Sequence, residues 1–449
     1  MNARWKRPTR NGWSRYALPR FLGWIVVAGM VLLPAALWLS AGALGTRFSH
    51  PAAVLKSLAN LSALTGTAIF AVSMILAARI KLVERVMGGF DQMYRIHRLL
   101  GYTVPLLLVG HALLVTSSKA VISLAAGLVL FTPAAGWGVF LGVIALTGLI
   151  TALLLPRLRN LKHETFVLVH RSIGVMFLLS SLHVILVPVT WTLPPLLIAY
   201  LLGLVVAGAL AFVYRSILGR FMVRRYRYRI KQVNRLGPSA VELVLSPDEV
   251  AMTCQPGQFV FATIVDDLLP REAHPFSITS PPYDPQLRLI VKALGDYTAR
   301  LLDLRAGGVA LLEGPYGGFP YTGVGNPCQI WIAGGIGVTP FLGMARSLGS
   351  APYEIDFYYC TERAEDAFFL DELFEMSDRS PRFRVIPIRR ASLGHITADD
   401  IQAASGELVK QDIFICGPPV MIHNLRQQLV ARGVPPSQIH SEDFSVIST

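Results

Sequence analysis

Cysteine is scarce in this sequence and does not occur before residue 254. No two of the four cysteines have the C-x-x-C spacing; they are Cys254, Cys328, Cys360 and Cys416. This scarcity fits a reducing compartment and predicts neither disulfide bonds nor a cysteine-based metal site. The sequence also lacks an internal repeat of solenoid period and a low-complexity tract, which argues against a repeat architecture.

Long apolar segments are plentiful in the first half of the chain. Hydrophobic residues make up 53% of the sequence and concentrate before about residue 215. Six segments have nearly the length of about 20 residues that a helix needs to cross a bilayer. The predicted spans are 21–41, 58–80, 98–117, 134–155, 165–188 and 195–214. The segment 118–133 is also fairly apolar, which leaves open an earlier start for the fourth span.

Acidic residues are too few to balance the basic ones: 28 Asp and Glu stand against 41 Lys and Arg, a net charge of +13. The basic residues cluster in the first 20 residues, after the second, fourth and sixth spans, and rarely in the other loops. This asymmetry predicts cytoplasmic termini, and it explains the excess charge without a nucleic-acid partner. We expect no cleaved signal peptide, because the basic region is long and the first span is full length.

Four histidines form two matched pairs inside the apolar segments. His97 and His111 are 14 residues apart, and His170 and His183 are 13 apart. A helix separates the members of each pair by roughly 20 Å, most of the way across a hydrocarbon core of about 30 Å. Two facing helices then place one histidine each at an inner and an outer level, where opposed imidazoles can ligate a haem iron. The alternative is four ordinary polar residues inside a bundle; the cost of burying ionisable groups favours ligation.

The two spacings are not equivalent on an ideal helix. Fourteen residues bring His111 back to within roughly 40° of His97, whereas thirteen leave His183 well off the face of His170. We therefore expect the second helix to be over- or underwound, tilted or locally bulged.

The sequence pattern changes at about Arg224. Short runs of alternating or β-branched residues with one helix near 296–304 predict a small antiparallel barrel over 222–322. After Asn326, strands alternate with helical stretches, which predicts a parallel sheet with crossover helices over 326–449. The fold class is thus a multi-domain membrane protein: a basic N-terminus at 1–20, a six-helix transmembrane bundle at 21–217, an antiparallel barrel and an α/β domain.

A glycine-rich turn, AGGIGVTP, ends the first strand of the α/β domain and opens its first helix. Such a turn lets backbone N–H groups approach a phosphate at a helix N-terminus. It differs from the G-x-G-x-x-G fingerprint, and the alternative is a plain tight turn.

Four further motifs occur in the second half of the chain. They read HPFSITS at 274–280, KALGDYT at 292–298, GPYG at 314–317 and CGPPVM at 416–421. With the glycine-rich turn, their order resembles the FAD and nicotinamide motifs of the ferredoxin-reductase superfamily. A six-helix haem segment joined to this module resembles the transmembrane NADPH oxidase and ferric reductase superfamily in its compact bacterial form, over nearly the whole chain.

The resemblance implies two haem b groups and one FAD. The inner haem ligands are then His97 and His170, and the outer ligands are His111 and His183. Ser277 is implied to neighbour flavin N5. The residues implied to hold FAD are His274, Pro275, Phe276, Ser277, Ile278, Thr279, Ser280, Lys292, Gly295, Thr298, Gly314 and Gly317.

The same resemblance implies a nicotinamide dinucleotide site. Its residues are Gly334, Gly335, Gly337, Thr339, Pro340, Cys416, Gly417 and Pro418. Cys416 is implied to lie by the nicotinamide ring, with a buried core cysteine as the alternative. Phe444 is implied to stack on the flavin, with a core residue of the last strand as the alternative.

The loop after the second strand of this domain bears on cofactor choice. Thr361 and Arg363 can receive the 2′-phosphate of NADPH, whereas Glu362 can bind the free ribose of NADH. An exposed Arg–Glu pair without a ligand is the alternative. We favour NADPH.

Together these features predict an oxidoreductase of a bacterial cytoplasmic membrane, in contact with lipid. Electrons are expected to pass from cytosolic NADPH through FAD and two haems to an acceptor across the membrane, with O2 giving superoxide. A ferric-chelate reductase shares this path and is the first alternative. A membrane-tethered flavin reductase without haem is the second. No residue set in the external loops separates the acceptors.

Overall fold

The computed structural model covers most of the chain. The described residues are 20–42, 44–159, 161, 163–266, 269–317, 319, 321–324, 326–349, 352–389 and 394–442. Phe444 therefore lies outside the described residues. The chain divides between Val223 and Arg224 into two compact units, the first helical and the second built of strands and helices.

Six helices of the described residues are long and apolar enough to cross a membrane, which confirms the predicted number. Their bounds are α1 Arg20–Ser40, α2 Pro51–Ala77, α3 Phe90–Ala120, α4 Trp137–Leu158, α5 His163–Leu186 and α6 Pro195–Phe212. Short helical segments at Leu44–Arg47, Lys81–Met87, Leu124–Leu128 and Gly219–Met222 connect or follow them. A π-helical turn, Val213–Ile217, extends α6.

The second helix begins earlier than hydropathy predicts. Pro51 occupies its first turn, where a missing N–H costs nothing, and the ring Nδ1 of His50 accepts the N–H of Ala53 at 3.3 Å. These capping groups start the helix seven residues before the predicted span, ahead of Lys56 and Ser57.

The fourth helix does not begin early. Residues 118–133 contain the end of α3, a short helix and a 3-10 turn, and α4 starts at Trp137 after Gly136 at a φ of +96°. Glycine tolerates this φ without strain, so the chain turns there before the helix starts.

The α2 helix is the most enclosed of the six, because 56% of the residues in its 18-residue apolar stretch are buried. It packs against α1, α3 and α6, while α4 packs against α5. Close helix contacts occur at glycine: an ideal Cβ at Gly208 of α6 would lie 3.1 Å from the carbonyl oxygen of Ala71 on α2.

The second unit starts with an antiparallel sheet. Its strands are β1 Tyr226–Leu236, β2 Ala240–Pro247, β3 Phe259–Val265, β4 Ala273–Ser277, β5 Leu287–Lys292 and β6 Val309–Tyr316. The strand order is β4-β3-β6-β1-β2-β5. A bridge between Ile278 and Leu289 links the ends of the two edge strands, so the sheet curls around its apolar core. The domain is barrel-like without a closed ring of strands among the described residues. A short helix, α7 Asp296–Arg300, precedes β6.

A parallel sheet follows, as predicted. Its strands are β7 Cys328–Gly334, β8 Glu354–Thr361, β9 Phe383–Arg389, β10 Asp412–Cys416 and β11 Ile439–Glu442, in the order β11-β10-β7-β8-β9. Helices α8 Val338–Ala345 and α9 Leu370–Arg379 cover one face, and α10 Ala398–Ser405 and α11 Pro419–Ala431 cover the other. This doubly wound arrangement collects the carboxyl ends of β7, β8 and β10 at one edge, where such sheets bind ligands.

Candidate functional site

The four histidines meet in two facing pairs between α3 and α5. The rings of His97 and His170 have centroids 6.4 Å apart at an interplanar angle of 79°, and those of His111 and His183 lie 6.5 Å apart at 66°. Two imidazoles that bind one metal from opposite sides at about 2.0–2.1 Å have centroids about 6.3–6.5 Å apart. The separation of each pair therefore fits an iron ion held between the rings.

The hydrogen bonds of the Nδ1 atoms orient three of these rings. Nδ1 of His97 lies 3.1 Å from the Ser73 carbonyl oxygen, that of His111 lies 2.9 Å from Ala59 O, and that of His183 lies 2.8 Å from Gly138 O. Because a carbonyl oxygen only accepts, each Nδ1 bears the proton and donates. The lone pair is then on Nε2, the tautomer of a metal-ligating histidine.

The fourth histidine is oriented by an aromatic contact. His170 stacks on Phe166, one turn earlier in α5, with centroids 5.7 Å apart and planes 19° apart. Among the described residues, no group of three or more His, Cys, Asp or Glu side chains forms a metal site.

Of the expected adjustments, overwinding, underwinding, tilt or a local bulge, the structure shows no bulge in α5, and the others stay predictions. The α5 helix is α-helical from His163 to Leu186, including the whole interval between His170 and His183. In the partner helix α3, Pro105 lies between the two histidines. A proline in a helix interior removes one hydrogen bond and commonly bends the helix axis. A bend in α3 can therefore compensate for the angular offset between His170 and His183, without an irregularity in α5.

Gly138 and Gly142 of α4 are functional candidates that the sequence reasoning missed. Gly138 supplies the carbonyl that holds His183, and an ideal Cβ at Gly142 would lie only 2.6 Å from Nδ1 of the same ring. The histidine therefore occupies space that a side chain would fill. The G-x-x-x-G spacing of these two residues is a signal for close helix approach in membranes.

The predicted flavin motif spans β4 and the loop after it. Phe276, Ser277 and Thr279 are buried there, and Pro275 lies on an edge strand, where a missing donor is tolerated. The hydroxyl of Thr279 donates to Arg288 O at 3.1 Å. The N–H of Arg288 donates to the hydroxyl of Ser280 at 3.1 Å.

His274 of this motif is held on two sides. Its Nε2 lies 2.7 Å from a carboxylate oxygen of Glu272, and its ring stacks on Tyr297 with centroids 4.0 Å apart. Burial raises the pKa of Tyr297 to about 12, so its phenol is neutral at physiological pH.

Other residues assigned to FAD are engaged within the protein. The ammonium of Lys292 lies 3.1 Å from Asp366, and the hydroxyl of Thr298 accepts the N–H of Gly295 at 3.1 Å to cap α7. Gly314 and Gly317 adopt φ values of +145° and +91° in the GPYG turn. Their roles toward FAD phosphates remain predictions.

The glycine-rich turn and the CGPPVM loop pack against each other at the carboxyl edge of the parallel sheet. An ideal Cβ at Gly337 would overlap the carbonyl of Cys416 and lie 2.9 Å from the Cα of Gly417. One at Gly334 would lie 2.8 Å from Pro418. These glycines are therefore required for packing of the two loops.

Gly335 has a different role in the same turn. Its φ is +54°, and no described atom lies within 4 Å of an ideal Cβ there. The turn thus leaves room beside Gly335 at the start of α8, which Thr339 and Pro340 continue as buried residues. This open position fits the predicted dinucleotide cradle.

Cys416 is buried in the core of the parallel-sheet domain, with 1% of its surface exposed. Its placement near the nicotinamide remains a prediction, because the buried position also suits a core cysteine.

Thr361 is buried at the end of β8, whereas the side chain of Arg363 is 74% exposed and lies 3.2 Å from Glu365. An exposed pair of this kind is weak, so the guanidinium remains available to a phosphate.

Three family models match successive parts of the chain. The model described as ferric reductase like transmembrane component matches residues 62–181, an FAD-binding domain matches 225–318, and an oxidoreductase NAD-binding domain matches 331–427.

The chain is also similar to curated proteins. It is 26% identical over 246 residues to the reductase component of propane 2-monooxygenase from Rhodococcus jostii, a match over 51% of this chain and 66% of that protein. It is 26% identical over 241 residues to the gamma subunit of sulfhydrogenase 2 from Pyrococcus furiosus, over 48% of this chain and 82% of that one. The chain thus spans about two thirds of the first of these relatives.

A solved structure shares the fold. Flavohemoglobin from Malassezia yamatoensis matches with a TM-score of 0.50 and 19% identity over 88% of this chain and 98% of that one. The matched FAD- and NAD-binding domains make the chain an NAD(P)H oxidoreductase of the ferredoxin-reductase type. With its transmembrane domain in front of that module, the chain has the ferric reductase and NADPH oxidase type of architecture.

Proposed function

We propose that this protein is a transmembrane NADPH oxidase of a bacterial cytoplasmic membrane, which holds FAD and two bis-histidine haems b. The net reaction is NADPH + 2 O2 → NADP⁺ + H⁺ + 2 O2•⁻, in which two electrons leave one NADPH and each reduces one O2. FAD links the two halves, since flavins accept a hydride and release single electrons, the unit that haem iron accepts.

The separation of the histidine rings is the observation that supports this proposal. The pairs are 6.4 and 6.5 Å apart, close to the value for an iron ligated from both sides, and three of the four rings donate from Nδ1, which leaves the lone pair on Nε2. Histidines satisfied by ordinary polar contacts have no reason to adopt this spacing twice.

Paired ligation also determines how an acceptor reacts. His111 and His183 would hold the outer haem with two imidazoles, which would leave no position for O2 to bind the metal. The haem would then supply single electrons to O2 without binding it, and superoxide would be the product. The basic residues beside the inner pair, Arg98 and Arg171, orient that end toward the cytoplasm by the positive-inside rule.

The test is the haem content of the purified full-length chain. A reduced-minus-oxidised spectrum is expected to show a b-type band with two haems per chain. His97→Ala and His111→Ala are each expected to remove about one haem, while His423→Ala, an exposed histidine of α11, retains both. A protein without a b-type band would instead be a membrane-tethered flavin reductase.

Reduction of a ferric chelate is the second candidate function, favoured by the match to a ferric reductase like transmembrane component. Both acceptors can be compared in oriented vesicles supplied with NADPH on one side. Cytochrome c reduction that superoxide dismutase inhibits indicates the oxidase, and a ferrous trap that responds equally with and without the dismutase indicates the chelate reductase.

A further inference from the structure

The α8 helix joins the dinucleotide turn to the flavin motif. It begins directly after the 335–337 turn, and in its last half Gly343 lies against the segment that follows β4. An ideal Cβ at Gly343 would lie 2.5 Å from the carbonyl oxygen of Ile278 and 3.4 Å from the Cα of Thr279. The helix is thus as close to this segment as backbone contact allows.

Arg346 follows the last residue of α8 and ties three segments together. Its Nε and one terminal nitrogen each donate to a carboxylate oxygen of Glu372 on α9, both at 2.8 Å. The other terminal nitrogen donates to the carbonyl oxygen of Thr279 at 3.0 Å. Two parallel hydrogen bonds between a guanidinium and a carboxylate fix the relative orientation of the two groups as well as their distance.

The antiparallel domain makes two further contacts with Arg346. The phenol of Tyr283 donates to its carbonyl oxygen at 2.8 Å. The carboxylate of Glu242, a buried residue of β2, lies 3.9 Å from its guanidinium. Arg346 is itself 11% exposed, so solvent screens these interactions little.

The start of α9 is also shaped around this guanidinium. Phe369 precedes the helix at a φ of +63°, which is strained for a residue other than glycine, and its ring centroid lies 5.4 Å from the guanidinium carbon of Arg346. The strained turn places the ring under the guanidinium and Glu372 beside it.

We propose that Arg346 is a positioning residue for hydride transfer. It holds the dinucleotide-binding helix against the carbonyl of Thr279, two residues after Ser277, and so sets the approach of the nicotinamide to the flavin. The step moves one hydride, with its two electrons, from the nicotinamide C4–H bond to flavin N5, leaving NAD(P)⁺ and reduced flavin. Misplacement of the reacting groups by about 1 Å can slow such a step about 100-fold.

The experiment follows flavin absorbance after anaerobic mixing of the full-length protein with NADPH. We expect Arg346→Met to reduce flavin at least tenfold more slowly than the parent, with bound FAD and the KM for NADPH within about threefold of the parent. Arg346→Lys retains the positive charge but cannot donate the paired hydrogen bonds of a guanidinium to Glu372. We expect its rate of flavin reduction to lie between those of the parent and Arg346→Met. Arg379→Met is the matched control, because Arg379 forms an exposed ion pair with Glu375 on α9, the helix that also carries Glu372. We expect the rate of flavin reduction in this variant to be within twofold of the parent.

A second readout does not depend on turnover. Hydrogen exchange of peptides covering 278–288 and 338–349 is expected to quicken in Arg346→Met and Glu372→Gln and to stay unchanged in Arg379→Met. Faster exchange with a parental rate of flavin reduction would show that Arg346 only stabilises the fold, which overturns the proposal. If Arg346→Met fails to bind FAD, a parental rate in both Arg346→Lys and Glu372→Gln overturns it equally.

This inference rests on the NAD(P)H and FAD chemistry of the module and goes beyond the proposed acceptor. Flavin reduction under anaerobic conditions requires neither haem nor oxygen. A preparation without haem would therefore refute the proposed oxidase and leave this test valid.

Discussion

Gly142→Ala is the sharpest test of the outer histidine pair. The added Cβ would lie 2.6 Å from Nδ1 and 2.9 Å from Cε1 of His183, whereas nonbonded atoms rest at about 3.5–4.0 Å. The ring must therefore move by about 0.9 Å or the two helices must separate. Metal–ligand distances tolerate about 0.2 Å, so the substitution should abolish ligation at this level.

The expected result is loss of one haem only. Displacement of the ring also breaks its bond to Gly138 O, and loss of such a supporting contact costs about 10–100-fold in metal affinity. We expect the haem content of the full-length protein to fall from two to about one per chain, while the inner pair at His97 and His170 retains its band. Pyridine haemochrome analysis measures the number of haems per protein chain.

Gly203→Ala is the matched control. Gly203 also lies in a long apolar helix, but no described atom is within 4 Å of its ideal Cβ. Two haems in this variant and one in Gly142→Ala would support the geometry described above. Two haems in Gly142→Ala with an unaltered outer band would refute the assigned position of His183.

Two further predictions concern the parallel-sheet domain. Arg363→Ala should raise the KM for NADPH about tenfold and leave that for NADH unchanged, because only NADPH has a 2′-phosphate for the guanidinium; an equal change with both cofactors in steady-state assays would contradict this role. Cys360 is half-buried near the end of β8, and this partial burial raises the pKa of its thiol from 9 to about 12, so its thiolate population and labelling rate at pH 8 should be on the order of 10³-fold below those of an ordinary thiol and rise only as the pH approaches 12. Rapid modification of Cys360 in the folded protein, measured by mass spectrometry against Cys360→Ser, would be inconsistent with that burial.

The fold was largely predictable because its signals are local. Apolar runs of bilayer length revealed six helices, and the change from alternation to strand–helix units separated the two sheet domains. The start of α2 was not predictable from hydropathy, since it depends on the cap formed by His50 and on Pro51. Helical spacing alone left several adjustments of α5 open, and it did not predict that the helix is α-helical without a bulge from His170 to His183.

In the candidate site, too, the features with a local sequence signal were predictable and the long-range contacts were not. Paired histidine spacing predicted which rings face each other, because intervals of 14 and 13 residues on two helices bring their histidines to similar levels. The partner of Lys292 was not predictable: Asp366 lies 74 residues away, and only folding of both domains brings the two charges together. The contacts of Arg346 with Thr279 and Glu372 were missed for the same reason.

The carbonyls of Ser73 and Ala59 that receive the two α3 histidines have a consequence for mutational studies of α2. Ala59 offers only its main-chain oxygen to His111, so replacing its side chain leaves the acceptor in place as long as the helix persists. Ser73 also places its Oγ 3.0 Å from Nδ1 of His97, so a substitution there removes one of the two contacts of that ring. Side-chain substitutions along α2 would therefore affect the support of His97 and leave that of His111 intact, which only a distortion of the helical backbone would disturb.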